Sequence, residues 1–438
     1  MVLKLQPPID TSATSSLRGS RINFIRKGYA QLPQNVLIQI FRHFNEEELR
    51  KTIIPVCQQW RAAAENPVLW KTLKFSGLKI NTSVINNKIW QFSSAERITM
   101  NNIKEVMPVL RQICRCCKNL VHITIRHCHE ISEDSLRYLL VSCRNLKILD
   151  MKGTPFQSLI FCEELAYSKS LCSVNFSDNK YITLKHISSI VVNCHNLNGF
   201  HMSIFQPINK IYLTDPEINC LFSQTNYRLQ SLTLDCSSLG SATFSAILRC
   251  KDLEYLCLNF AYNLEGNIFQ MLGKSLEKLK VLKVRFGHQI KDNQFMNFFD
   301  DSSKLEVIDF TGCNKLSTFG MKSLAQYCSN LKTLIIRNCK NVFTLESVFS
   351  RCSNLEILNI AFCNKLHFKE KCKMPNLKEL FISDDKRLKM LADKLKATNR
   401  DLLLKMCESE FNKKSKSAFA PNGTCYFFRK RHPDYRTN

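Results

Sequence analysis

Cysteine and histidine are the residues of this sequence that could do chemistry, and they gather in two places. Residues 114–117 read Cys-Arg-Cys-Cys, and residues 127–130 read His-Cys-His-Glu. A zinc site needs four such ligands to converge, usually from paired CxxC or HxxxH spacings. Cys117 and Cys128, however, also fall on a regular repeat described below, which gives them a packing role. We therefore expect no metal site and no cofactor.

Catalytic motifs do not emerge from the rest of the chain either. No spacing of Ser, His, Cys or Asp selects a triad, and no stretch resembles a nucleophile elbow, a phosphate-binding loop or a dinucleotide fingerprint. The 21 cysteines are an odd number in a chain of 438 residues, whereas disulfide frameworks belong to short secreted scaffolds. We expect a protein that is not an enzyme and carries reduced thiols.

The location of the protein follows from what the chain lacks. No apolar run approaches the roughly 18–20 residues that span a bilayer, and the first residues lack the apolar stretch of a signal peptide. Because 45% of the residues are hydrophobic, the chain can bury a large core. We expect no membrane association and a cytoplasmic and/or nuclear protein.

A repeat of about 24–26 residues organises the chain from residue 70 to residue 397. Each unit has apolar residues at positions 0, +3 and +5 and a small or polar residue at +8, most clearly in the copies that start at Leu120, Leu331 and Leu355. One longer unit, residues 197–228, carries an insertion near residues 206–216 that predicts a protruding loop. The thirteen unit starts are residues 70, 95, 120, 146, 171, 197, 229, 253, 279, 305, 331, 355 and 377.

Each unit predicts one strand followed by one helix. Positions +3 and +5 alternate as in a strand, and a stretch of helical period follows, for example Phe319, Met321, Leu324 and Ala325. This length lies in the range of leucine-rich repeats. Because neither element closes a core alone, the units must stack. We predict an α/β fold: a curved leucine-rich-repeat solenoid with parallel strands on the concave face and helices on the convex face.

The cysteines follow the same register. Ten of the 21 occupy two repeat positions, where a small buried thiol packs at a turn. This pattern resembles the cysteine-containing subclass of leucine-rich repeats. The cysteines at position −3 are Cys117, Cys143, Cys194, Cys250, Cys328 and Cys352, and those at +8 are Cys128, Cys313, Cys339 and Cys363.

Residues 32–73, ahead of the repeats, predict a small all-helical module. Pro33 suits the first position of a helix, and an apolar stripe at helical spacing follows it. Pro55 can open a further helix, and Asn66-Pro67 can open a last turn. The stripe consists of Val36, Leu37, Ile40, Phe41 and Phe44.

The Leu32-Pro33 start, Ile40-Phe41, the sequence VCQQW at 56–60 and NPVLW at 66–70 resemble an F-box. An F-box joined to such repeats resembles the F-box and leucine-rich-repeat family. This resemblance implies a substrate receptor of an SCF-type cullin–RING ubiquitin ligase, whose F-box binds the adaptor subunit and through it the cullin. The acidic residue that usually follows Leu-Pro in the family is replaced by Gln34-Asn35, which predicts weaker adaptor binding.

Carried over by position in the motif, ten residues are expected to contact the adaptor. Some of them must instead join the F-box helices to one another or to the first repeat, Trp70 above all, because it also starts that repeat. The ten are Leu32, Pro33, Val36, Leu37, Ile40, Phe41, Val56, Cys57, Trp60 and Trp70.

The concave surface is the expected site for a target protein. Positions +2, +4 and +6 point away from the core, and +7 lies at the rim of the turn. From residue 253 onward these positions become basic and aromatic, which suits recognition of an acidic or phosphorylated segment. Alternatively, the aromatic residues at +7 pack into the turns between units. The candidate residues are Tyr255, Phe260, Lys283, Arg285, Phe286, Arg337, Phe362 and Phe381.

A net charge of +25 leaves two other functions open. One is a binding scaffold that recruits the adaptor without delivering a target for degradation. The other is a basic solenoid associated with nucleic acid, but the charge is spread along the chain, so we consider nucleic acid an unlikely partner. Residues 1–31 predict a disordered leader. Residues 398–438 predict a capping helix, built on Leu402, Leu403, Leu404 and Met406, and a basic tail whose apolar residues 425–428 fold back onto the solenoid.

Overall fold

The computed structural model describes residues 32–407, apart from 45–47, 78–79, 130, 166–167, 180, 195, 204–212, 301 and 368–373. The predicted leader at 1–31, most of the predicted loop at 206–216 and the tail with residues 425–428 lie outside the described residues.

The fold is the predicted α/β solenoid. In the described residues fourteen strands form one sheet, and they follow one another in chain order. Each of the thirteen neighbouring pairs in this sheet is parallel, such as β3 with β4 and β10 with β11. The strands are β1 Thr72–Ser76, β2 Arg97–Asn101, β3 His122–Arg126, β4 Ile148–Asp150, β5 Ser173–Asn175, β6 Gly199–Met202, β7 Ser231–Asp235, β8 Tyr255–Asn259, β9 Val281–Val284, β10 Val307–Asp309, β11 Thr333–Ile335, β12 Ile357–Asn359, β13 Glu379–Ser383 and β14 Leu403–Cys407.

Helices precede and separate the strands, and helices of neighbouring units pack side by side. The α-helices are α1 Gln34–Phe41, α2 Gln58–Ala64, α3 Thr82–Gln91, α4 Val106–Cys116, α5 Glu133–Ser142, α6 Leu159–Glu164, α7 Leu184–Asn193, α8 Asp215–Gln224, α9 Ser241–Ile247, α10 Gly266–Ser275, α11 Asp292–Phe299, α12 Thr318–Tyr327, α13 Glu346–Arg351 and α14 Lys386–Thr398. None of the helices in the described ranges is long and apolar enough to cross a membrane.

The core lies between the sheet and the helices, at the repeat positions that the sequence singled out. In the third unit Leu120, Ile123 and Ile125 are fully buried. The strand register aligns equivalent positions of successive units, so that Ile123 lies beside Leu149 of the next strand. Burial of such side chains stabilises by about 1.5–3 kcal/mol each. Because each unit adds its own to one continuous core, the solenoid is stabilised by stacking.

The C-terminal end differs from the prediction of a capping helix at residues 402–406. The helix α14 ends earlier, and Leu403–Cys407 form the parallel strand β14, with Leu403 beside Glu379 of β13. Asp385 caps α14, because its Oδ1 accepts from the backbone N–H of Arg387 at 2.9 Å. The spacing from residue 377 to residue 401 is that of one more unit, and strand pairing overrides the helical propensity of the leucines.

The turn after each strand has a recurring backbone conformation. At position +7 ten residues have positive φ, a region that Gly, Asn and Asp tolerate but bulky side chains do not. Units with Phe at this position therefore hold a strained backbone. The ten are Gly77, Asn102, His127, Gly153, Asp178, Phe260, Phe286, Gly312, Asn338 and Phe362.

The cysteines of the repeat have the packing role that was predicted. The thiol of Cys339, at position +8, donates to the carbonyl of Phe310 in the preceding unit at 3.0 Å, and Cys363 donates to Ile336 in the same way at 3.0 Å. Burial raises the pKa of Cys363 to about 12, which keeps it a neutral thiol. Within the described residues, no three His, Cys, Asp or Glu side chains gather as metal ligands.

Candidate docking surfaces

The first helix of the N-terminal module begins one residue later than predicted. Pro33 is its N-cap, and its carbonyl accepts from the backbone N–H of Val36 at 3.0 Å and of Leu37 at 3.1 Å. Gln34 and Asn35 occupy its exposed first turn, which holds no acidic residue. The positive end of the helix dipole is therefore left without the carboxylate it favours.

The helix expected from Pro55 begins at Gln58 instead. Cys57 is extended and caps it, with its Sγ accepting from the backbone N–H of Trp60 at 3.4 Å. The last turn, Pro67–Leu69, forms as predicted, because the side chain of Asn66 accepts from the backbone N–H of Val68 at 3.1 Å. Gln59 ties α2 to the start of α1 by donating to the carbonyl of Leu32 at 2.8 Å.

The ten expected contact residues fall into three groups by exposure, and the buried group includes Trp70. Leu37 and Phe41 are buried, and the ring of Phe41 packs edge-on against Trp60 at 5.3 Å. These side chains hold the module together and offer no surface. The half-buried members are Leu32 and Trp60, and the exposed members are Pro33, Val36, Ile40, Val56 and Cys57.

We call the exposed apolar residues of this module the F-box face. It comprises the exposed members of that set together with Phe44, whose exposed fraction is 38%. Phe44 was absent from the expected contacts, although it lies on the apolar stripe at spacing i+8 from Val36. Ile40 is 42% exposed and Val56 is 53% exposed. Large apolar side chains grouped at a surface mark an interaction site.

Trp70 joins the module to the solenoid. Its ring is buried and lies 5.5 Å from the ring of Phe92 in the first unit. Its indole N–H donates to the carbonyl of Ala64 at 2.8 Å, and the guanidinium of Arg50 covers the ring at 4.8 Å. Trp70 therefore contacts both the helical module and the first repeat unit, and it fixes one against the other.

The concave residues that the sequence singled out are largely engaged with one another. Lys283 and Tyr255 lie on the outward side of β9 and β8, with the Lys283 ammonium 5.1 Å from the Tyr255 ring. Tyr255 also meets the ring of His201 edge-on at 5.8 Å. Burial lowers the pKa of His201 to about 4, and Thr233 lies within 2.8 Å of its Nδ1. The sequence does not predict these contacts of His201 with Tyr255 and Thr233.

Arg285 is part of a buried ion pair. Its Nε and Nη2 donate to Oδ2 of Asp309 at 2.8 Å and 2.7 Å, and its Nη1 donates to Asn259 at 3.1 Å. Burial alone would raise the pKa of Asp309, but Arg285 and Thr311 hold it below its usual value. The guanidinium is already satisfied, so it offers little to a target.

Phe260 and Phe286 lie in the turns that follow β8 and β9. Their rings stack in parallel, 5.6 Å apart. Tyr262 leans on both rings, at 6.0 Å and 6.2 Å, and His288 lies 5.3 Å from Tyr262. A Cβ at Gly312 would come within 2.5 Å of the Phe286 ring, so the glycine makes room for it.

The remaining candidates pair a cation with a ring. The Arg337 guanidinium lies 4.3 Å from the Phe362 ring. The Lys405 ammonium lies 4.8 Å from the Phe381 ring and bonds Glu379 at 2.6 Å. Lys405 was not among the candidates, because the sequence predicts a helix where the structure has the strand β14. The eight candidates thus form several local pairs along the sheet.

This architecture defines a leucine-rich-repeat solenoid with an N-terminal helical module. Residues 29–76 match the F-box-like family model. An F-box/LRR-repeat protein of Arabidopsis thaliana is 23% identical over 249 residues, covering 55% of this chain and 75% of that protein. The putative F-box/LRR-repeat protein 22 of the same plant is 22% identical over 313 residues, covering 68% of this chain and 89% of that protein.

The fold is also similar to a chain in the crystal structure of the Rad7 and Elc1 complex of yeast. The TM-score is 0.53 at 16% identity, covering 86% of this chain and 95% of that chain. The chain therefore contains a segment that matches an F-box-like domain, and it is similar to two proteins named as F-box/LRR-repeat proteins.

Proposed function

We propose that this chain is the substrate-recognition subunit of an SCF-type cullin–RING ubiquitin ligase. The F-box face binds the adaptor subunit, and the solenoid binds a target protein. The chain itself performs no chemistry. It raises the local concentration of target lysines near the activated ubiquitin, so its contribution is proximity.

The observation that carries this proposal is the F-box face. Val36 and Ile40 lie on α1 next to the buried Leu37 and Phe41, but their own side chains are exposed. Such side chains become stabilising when a partner covers them. The match of residues 29–76 to the F-box-like model supports an adaptor subunit as that partner.

The junction at Trp70 supports the receptor role. Because Trp70 bonds to α2 and packs on the first unit, the adaptor and a target on the solenoid would be held at a constant angle. With a flexible linker, the target would sample many positions relative to the ubiquitin-conjugating enzyme, and it would spend less time in each of them.

The adaptor surface is tested by capture of the purified adaptor subunit on the immobilised full chain. Val36→Glu with Ile40→Glu places two charges on the F-box face, and we expect adaptor affinity to fall at least tenfold. The matched control places the same charges at Val84 and Val141, which are exposed on solenoid helices, and should bind as the wild type does. Equal capture of all three proteins would contradict the proposal.

The receptor role is tested separately from adaptor binding. Proteins captured from cells with degradation blocked are compared between wild type and the Val36/Ile40 variant. A target is retained by both, whereas adaptor and cullin are lost from the variant. A target must also become more abundant when the chain is removed; a partner of unchanged abundance indicates a non-degradative scaffold. We expect the protein in the cytoplasm or nucleus, where this machinery acts.

A further inference from the structure

The strands of the later units all begin along one edge of the sheet and end along the opposite edge, and these two edges carry different charge. At the edge where strands begin, position +1 alternates in sign and forms ion pairs: Lys280 with Glu254, Lys332 with Glu306 and Lys378 with Glu356, each at 2.8 Å. Three lysines are therefore neutralised along that edge. The alternation fixes each unit beside the next without leaving net charge.

The edge where strands end is cationic from unit 8 to unit 12, whereas the turn of unit 13 carries Asp384 and Asp385. We call the turns 260–264, 286–290, 312–316, 338–342 and 362–366 the C-terminal rim. These turns contain no Asp or Glu. Their exposed charged residues are Lys315, Lys340 and Lys365, none of which makes an ion pair within the described part of the chain. In earlier units the same turns do carry carboxylates, such as Asp178.

One end of this rim is aromatic, at a cost in backbone strain. Phe260 and Phe286 have φ of +54° and +59°, at a position where most other units have Gly, Asn or Asp. A bulky residue in this region strains the backbone, and such strain is concentrated at functional sites. Phe260 is buried, but Phe286, Tyr262 and His288 remain partly or fully exposed. The strain presents aromatic rings at the surface.

We propose that the C-terminal rim binds an extended acidic segment of the target protein. An aromatic or prolyl side chain of that segment lies against Phe286 and Tyr262, and its anionic groups lie beside Lys315, Lys340 and Lys365. This inference deepens the proposed function, because it assigns the class of target and places its site at the rim.

Charge and length define the segment. Strands lie about 4.8 Å apart, so the rim from unit 8 to unit 12 spans about 19 Å, or about six extended residues. At the far end the Lys365 ammonium lies 5.7 Å from the ring of Phe343, which is exposed. Nucleic acid fits less well, because the cations form one short row and the neighbouring edge is neutral.

The test measures binding of a defined probe to the full chain by fluorescence anisotropy. The probe is a labelled peptide of about ten residues with glutamates on both sides of a Tyr-Pro pair, which exceeds the span of about six residues. A second peptide has glutamine in place of every glutamate. We expect the acidic peptide to bind at least tenfold more tightly. Equal affinity, or no binding by the wild type, would overturn the proposal.

Two sets of variants locate the site. The triple change Lys315→Glu, Lys340→Glu and Lys365→Glu should weaken binding of the acidic peptide at least tenfold. The control reverses three exposed lysines away from the rim, so total charge changes equally, and its affinity should stay within twofold of wild type. Equal losses in both triples would overturn the proposal. The control positions are Lys251, Lys304 and Lys322.

Phe286→Asn separates recognition from stability. Because Asn tolerates positive φ, we expect an unfolding temperature no lower than that of wild type and at least threefold weaker peptide binding. Unchanged binding would assign Phe286 to packing alone and contradict its role as an anchor. A single-stranded oligonucleotide that binds the rim more tightly than the acidic peptide would replace the target class proposed here.

Adaptor capture on the same rim variants distinguishes this inference from the proposed function. Rim variants that lose the peptide but retain the adaptor support both. Failure of the wild type to bind the adaptor, with rim-dependent peptide binding intact, would refute the ligase role and leave the rim as a peptide-binding site.

Discussion

Arg285 of one unit donates two hydrogen bonds to a single carboxylate oxygen of Asp309 in the next, at 2.8 Å and 2.7 Å. The same relationship occurs earlier, where Arg126 pairs with Asp150. In both cases an arginine at position +6 meets an aspartate at +4 of the following strand. These pairs lie on the concave surface and join neighbouring strands there.

Removal of this arginine should destabilise the solenoid. The Asp309 side chain is only 1% exposed, so Arg285→Ala leaves a buried carboxylate without its counter-charge. We expect the free energy of unfolding to fall by about 3 kcal/mol, measured by urea denaturation at neutral pH. The exposed Lys322→Ala should change it by less than about 0.5 kcal/mol. A loss below about 1 kcal/mol for Arg285→Ala would contradict this account.

Substitution of Trp70 should uncouple the F-box from the repeats. Trp70→Ala removes the contact with Phe92 and the hydrogen bond to Ala64, and it should cost about 3–5 kcal/mol. Trp70→Phe keeps a ring and should cost less. Differential scanning calorimetry should show the N-terminal module of the Ala variant unfolding before the solenoid. A single transition at the wild-type temperature would show that the junction does not depend on this side chain.

The histidine at the centre of the concave surface predicts a pH dependence. Burial lowers the pKa of His201 to about 4, whereas an unfolded histidine has a pKa of about 6.5. The unfolded chain therefore binds this proton more readily, so stability is complete above pH 6.5 and falls toward pH 4. The slope approaches about 1.4 kcal/mol per pH unit. His201→Gln should flatten the curve of unfolding free energy in this window, and parallel curves would disprove the assignment.

Gly312 should resist substitution by alanine. It has φ of +73°, and a Cβ there would come within 2.5 Å of the Phe286 ring. We expect Gly312→Ala to cost roughly 1–3 kcal/mol. Gly77→Ala is the matched control, because its φ is also positive but its nearest contact would be 3.9 Å away. If both substitutions lower the thermal unfolding midpoint equally, the positive φ alone accounts for the loss and the contact with Phe286 does not contribute.

The missing carboxylate of the first F-box helix predicts a gain. Gln34→Glu places a negative charge in the first turn of α1, which holds no acidic residue. The helix dipole should be stabilised by about 0.3–1 kcal/mol, and adaptor affinity should rise a few-fold if the family's acidic residue contributes there. The control is Gln39→Glu, which places the same charge at an exposed position in the last turn of α1. Weaker adaptor binding by Gln34→Glu would contradict the comparison.

The sequence determined the solenoid because its signals are local and repeated. Leu120, Ile123 and Ile125 already show the spacing of a buried strand, and each new unit repeats that spacing with the same cysteines at the turns. The same holds for the F-box, where the stripe on α1 and the Asn66 cap lie within a few residues of one another. Such patterns depend on the chain alone, since 3.6- and 2-residue periods decide which side chains share a face.

Only the tertiary structure decided which of these residues remain available. Phe41 is buried because Trp60, nineteen residues later in the sequence, packs against it. The helical period of α1 does not predict this contact. Arg285 is satisfied because Asp309 arrives from the next strand, and Leu403–Cys407 become a strand because β13 offers an edge. In each case a partner distant in sequence competes with solvent or with local propensity. Its contribution becomes visible only once the units are stacked.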